Sequence, residues 1–93
     1  MKSHNPRITC KDGFTISVQG SSFSYATPRE DNPPNGYTHV ECGFPSTTPK
    51  TAELLRYAED IDFTETVYGW VPVDVVQAEL DAHGGILDGR LPK

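Results

Sequence analysis

Eight glycines and eight prolines punctuate this 93-residue chain, and their placement limits what it can fold into more than any other feature. Proline lacks a backbone N–H and glycine favours turns, so ordered segments between them stay short. The densest break, Thr27 to Gly36, holds Pro28, Pro33, Pro34 and the pair Asn35-Gly36, and it can continue neither a ladder nor a helix. With an apolar share of 35%, below the roughly 45–50% of an average domain, the expectation is a loop-rich fold around a small core. Four Phe, four Tyr and one Trp supply enough buriable surface to argue against disorder. Two halves of so short a chain could not each bury a core, so residues 1–93 read as one compact domain, with 1–6 and 88–93 flexible.

Between the breaks, alternation marks the strands. Ile8, Cys10, Phe14, Ile16 and Val18 alternate across Lys11-Asp12-Gly13, a β-hairpin in which Gly13 supplies the positive φ of the turn. Phe23-Ser24-Tyr25 could form an edge strand before Pro28 forbids further pairing. From Tyr37 to Phe44, Val40, Cys42 and Phe44 share one face while Tyr37, His39 and Glu41 share the other. Thr66 to Val71 reads as another strand, whose alternating Tyr68 and Trp70 are expected in the core. Thr48 and Pro49 fit the cap and first turn of a short helix reaching Ala58, with Leu54, Leu55 and Ala58 inward. The clearest helix starts with Pro72 at its first position and carries Val73, Val76 and Leu80 at helical spacing. It ends at His83, with a left-handed cap at Gly84-Gly85 that folds Ile86 back on the helix. The predicted class is α+β: a small antiparallel sheet from about residues 7–19, 37–44 and 66–71, packed against the carboxyl-terminal helix, with a second short helix.

Charge and spacing exclude several chemistries. Thirteen acidic residues stand against eight basic ones, a net charge of −5, and no Lys/Arg face is gathered for direct nucleic-acid binding. No apolar run approaches the roughly 20 residues of a membrane span, and Met1 to Arg7 lacks the apolar segment of a secretory signal, which points to the cytoplasm. His4, His39 and His83 lack the spacing that sets two ligands on one helical face, and Cys10 and Cys42 lack a Cys-x-x-Cys partner. Neither metal nor cofactor is expected, and both thiols read as reduced and buried unless their strands are neighbours. His39 and Cys42 point to opposite faces of their strand, and Gly84-Gly85 ends a helix where a phosphate loop would begin one. These absences argue against an enzyme.

Two constellations suit binding. Tyr25 and Arg29 flank the Pro-rich loop, and Tyr37 and His39 project from the outward face of the neighbouring strand; aromatic faces with a planar guanidinium suit a nucleotide-derived ligand or a protein hot spot. Glu53, Glu59, Asp60, Asp62 and Glu65, followed by Asp74, Glu79 and Asp81, form an acidic surface. With Asp60 and Asp62 at its centre, it could imitate the spaced phosphates of DNA in a basic protein groove.

Cys10 to Gln19, Tyr37 to Ser46, Tyr57 to Asp60, Thr66 to Val73 and His83 to Ile86 together resemble small accessory proteins of tailed bacteriophages and prophages. The resemblance spans most of residues 8–86 and assigns no residue a role. It implies a non-catalytic, anti-CRISPR-like inhibitor that binds a bacterial host immune protein or complex of anti-phage defence, in the host bacterial cytoplasm. Two alternatives stand beside it: a sponge for a nucleotide-derived immune signal, held by Tyr25, Arg29, Tyr37 and His39, and a virion structural or assembly protein. Self-association into a homo-oligomer is left open.

Overall fold

The structure is a computed structural model that describes residues 4–93, so residues 1–3 of the expected flexible lead lie outside the described residues. Five strands, β1 (Ile8–Cys10), β2 (Thr15–Gln19), β3 (His39–Gly43), β4 (Val67–Pro72) and β5 (Ile86–Asp88), form an antiparallel sheet in the order β4-β3-β2-β1-β5. Two helices, α1 (Ala52–Leu55) and α2 (Val73–Ala82), complete an α+β fold. Among the described residues, no helix is long and apolar enough to cross a membrane.

Alternation works as expected in the first hairpin. Gly13 sits at φ +96, and its N–H donates to the Cys10 carbonyl at 3.0 Å, closing the turn. Ile8, Cys10, Ile16 and Val18 then face inward beside Val40 and Cys42, and Leu54, Val76 and Leu80 pack onto them from the two helices. Each such aliphatic side chain contributes about 1.5–3 kcal/mol by leaving water.

Strand β4 departs from simple alternation. Val40 pairs with Val71 and Cys42 with Tyr68, so Gly69 and Trp70 together oppose Glu41 alone. The extra residue is a β-bulge, and it inverts the parity of everything beyond it. Tyr68 and Val71, three positions apart, both reach the core, while Trp70 is turned out at φ +51. The expectation that Tyr68 and Trp70 are buried together therefore holds for Tyr68 and fails for Trp70.

Other local expectations are corrected by backbone geometry. Strand β3 ends at Gly43, and Phe44, at φ +51, is exposed rather than inward. Tyr37 precedes the ladder and is buried, its ring so close over Gly20 that an added methyl would come within 2.7 Å; its hydroxyl donates to the Glu30 carbonyl. Phe23-Ser24-Tyr25 forms no strand, because the Ser24 N–H turns back to the Ser21 carbonyl. Helix α1 is one turn capped by Thr51, not Thr48, with the Thr51 hydroxyl accepting from the Leu54 N–H. After it, Ala58 bridges Tyr68 and the Glu59 N–H donates to the Val67 carbonyl, covering part of the β4 edge. Pro72, with ψ 138, ends β4 and caps α2 instead of occupying its first turn.

At the carboxyl end Gly84 and Gly85 both lie at φ +88, and the Gly85 N–H donates to the Leu80 carbonyl. Ile86 lies half-buried against the core that includes Leu80 and enters β5 opposite Cys10, a strand too short to have shown in the pattern. Beyond it, the Asn5 amide donates to the Arg90 carbonyl, joining the two ends of the described chain.

Gly84→Val should lower stability by about 1 kcal/mol or more, because a β-branched residue resists φ +88 and its Cβ would stand 3.3 Å from Lys11 Cβ. An unchanged melting temperature would contradict this cap. Both cysteines are free and buried, and burial raises the Cys42 thiol pKa, so thiol reagents should label Cys42 slowly in native protein and rapidly after denaturation.

Candidate functional site

Two polar constellations stand out, one buried and one exposed. The buried one starts from helix spacing: Glu79 and His83, four residues apart, share a face of α2 at its carboxyl end. Glu79 is only 1% exposed. Its Oε1 accepts from the Thr51 N–H and hydroxyl at 2.9 and 2.8 Å, and its Oε2 accepts from the Lys50 N–H at 2.8 Å. His83 Nε2 lies 2.7 Å from the same Oε2, and His83 Nδ1 lies 2.7 Å from Asp12 Oδ2 in the hairpin turn. The imidazole stacks flat on Phe14, centroids 3.7 Å apart.

Burial pushes the Glu79 carboxyl pKa up, but the Lys50 and Thr51 N–H groups, the Thr51 hydroxyl and His83 together hold it below the ordinary carboxylate range. Asp12 is lowered too, first by the Phe14 N–H that donates to its Oδ1, then against some desolvation by His83 and Lys50. A cleft of about 280 Å³ opens beside Asp12, bordered by Ser46, Thr47 and Lys50. Its one imidazole has both ring nitrogens engaged and is 3% exposed, so it presents no free nitrogen to a substrate. The ring also holds the two carboxylates at its opposite ends instead of letting them converge, and among the described residues no group of three His, Cys, Asp or Glu could hold a metal ion. This constellation is a clamp joining the hairpin turn, the start of α1 and the end of α2. Its signal in the sequence was Glu79-x-x-x-His83, which reads on its own as solvated helix surface.

The exposed constellation grows from the β4 bulge. Trp70 is 46% exposed and stacks on Tyr25, 38% exposed, with ring centroids 4.6 Å apart and planes 19° from parallel. The Trp70 N–H donates to the Tyr25 carbonyl, and the Tyr25 N–H donates to Glu41 Oε1 at 2.8 Å, which fixes the loop over the outer face of the sheet. The Arg29 guanidinium carbon lies 5.6 Å from the Tyr25 ring centroid. Gly69 lies close underneath: a methyl there would meet Tyr25 Cδ2 at 3.3 Å and Glu59 Oε2 at 3.4 Å, a tight contact that Tyr25 would have to yield to.

Of the residues named from sequence, Tyr25 and Arg29 come together and gain Trp70. Tyr37 is withdrawn into the core, because regular alternation begins only at His39. His39 lies half-buried in β3, with Nδ1 2.9 Å from the neighbouring Thr38 hydroxyl. Asp60 and Asp62 are exposed in the connector after Glu59; Asp60 Oδ1 accepts from the Ile61 N–H and Asp62 lies near the Thr64 hydroxyl. Trp70 was missed, although a glycine beside it inside a strand pattern is the signature of a bulge.

Because Glu79 and Asp12 both have lowered pKa values in the fold, their stabilisation is complete above the ordinary carboxyl values of 4.5 and 3.8 and is lost as pH falls through the lower folded values. The melting temperature should therefore fall on the acid side of 4.5. Glu79→Gln should cost about 1.5–3 kcal/mol at neutral pH, as expected for hydrogen bonds to a charged group, and should flatten that acid limb. Thermal melts of both proteins across the acid range check this; parallel limbs would show that Glu79 is not the responsible group.

No family model, curated protein or solved structure matches this chain, so its function is read from the arrangement of its own side chains.

Proposed function

We propose that this chain is a non-catalytic binding protein that engages a protein partner through the Tyr25–Trp70 patch. Following the phage resemblance, the partner is a host immune protein or complex of anti-phage defence, bound and inhibited in the host bacterial cytoplasm. One observation carries the reading: the bulge holds a tryptophan outward, in a backbone conformation that disfavours large side chains, where a regular ladder would have turned it inward. Backbone in that region costs about 1–3 kcal/mol and is concentrated at functional positions. Trp, Tyr and Arg are also the side chains enriched at interface hot spots, and all three meet here. The acidic connector with Asp60 and Asp62 supplies the field that would steer a basic partner.

The nucleotide sponge is less well supported, because Tyr37 is buried and two carboxylates, Glu41 and Glu59, border the rings where phosphate would approach. Native mass spectrometry after incubation with host lysate separates the readings. The expected result is a protein-sized adduct at fixed stoichiometry that Trp70→Ala weakens at least tenfold while the melting temperature stays close to that of the parent. Asp60→Lys with Asp62→Lys should mainly slow association, and the complex should weaken with added salt. A small-molecule adduct would instead favour the sponge, and substoichiometric conversion of any substrate would overturn both.

A further inference from the structure

We infer that the Tyr25–Trp70 patch is a receptor for arginine side chains, so that the partner presents an arginine-rich segment to it. This rests on the proposed reading that the patch is the docking surface, and it adds the chemistry of what docks there.

Stacking covers one face of each ring, both residues stay partly exposed, and an aromatic face with its negative quadrupole potential attracts cations. Carboxylates stand at their border. Glu41 spends Oε1 on the Tyr25 N–H, and the exposed Glu59 places Oε2 within 3.4 Å of the same point that Tyr25 Cδ2 approaches to 3.3 Å. Among the described residues, the Glu59 carboxylate has no ion pair or side-chain hydrogen bond. Asp60 and Asp62 continue the same charge along the connector.

The chain's own Arg29 already lays a guanidinium over Tyr25, at 5.6 Å from the ring centroid, without pairing to Glu41 or Glu59. The surface therefore accepts a planar cation on its aromatic side and keeps its carboxylates unneutralised. A guanidinium can stack on a ring and bond a carboxylate through two parallel N–H groups; an ammonium is a strongly hydrated point charge and does neither. An anionic ligand would find Arg29 but would also meet the Glu41 and Glu59 carboxylates beside it.

Trp70 is the single tryptophan, so tryptophan emission, excited selectively over tyrosine, reports on the patch. The test titrates the full chain with a capped hexaarginine peptide, with hexalysine as the charge-matched control. Hexaarginine should change the emission saturably, more tightly than hexalysine, and less tightly as salt rises. Glu59→Gln should weaken binding roughly threefold or more, the scale of an exposed cation contact. Arg29→Ala should strengthen it, because the resident guanidinium no longer competes for Tyr25. Calorimetry of Trp70→Leu, which has lost the fluorophore, should show hexaarginine binding reduced by a similar factor.

Equal affinity for the two peptides, indifference to Trp70→Leu, or loss of binding in Arg29→Ala would each overturn the inference. No response to hexaarginine, combined with a lysate adduct that Trp70→Ala still abolishes, would reject the arginine preference and leave the docking surface standing. An adduct untouched by Trp70→Ala would reject the docking surface itself.

Discussion

The Glu79 carboxylate is the interaction on which the rest of the fold depends. A carboxylate almost fully removed from water is tolerated only when its lone pairs are filled, and here two backbone N–H groups, a hydroxyl and an imidazole fill them. Its partners come from three places that share little else: the start of α1, the end of α2 and, through His83, the turn between β1 and β2. Helix α1 is a single turn, too short to persist alone in water, and it exists because Glu79 orders Lys50 and Thr51 before it and Leu54 is buried within it.

The bulge at Gly69 and Trp70 does the complementary work on the other side of the sheet. A regular ladder would place Tyr68 and Trp70 on one face and Val71 on the other. Inserting one residue lets Tyr68 and Val71 fill the core together and leaves the indole outside. Core packing and surface display are thus set by the same irregularity. Gly69 lets Tyr25 settle close over the strand, since even a methyl there would press on the ring at 3.3 Å.

What could be read from the residues was whatever obeyed a local period. The hairpin, the inward set of β3 and the body of α2 each follow their 2- or 3.6-residue repeat without interruption, and the α+β class follows from them. The start of α1 was misplaced because Thr48-Pro49 satisfies every local rule for a cap, while the decisive carboxylate lies 29 residues downstream of Lys50. Strand β5 was illegible because three residues after a glycine pair carry no pattern, and it forms only because Cys10 offers it a ladder. Of the site, Tyr25 and Arg29 were visible as types near a loop. Trp70 was not, because a change of parity is a property of the pairing and not of the strand.

The clamp and the aromatic patch draw on different side chains. Among the described residues, Tyr25, Arg29 and Trp70 share no hydrogen bond or ion pair with Asp12, Glu79 or His83. Changes at sites without shared partners are closer to additive than changes within one network. Recognition is therefore modular with respect to foldedness: the outer residues of the patch can drift, invert charge or change size to follow a changing partner, while the clamp keeps the scaffold's reserve of stability.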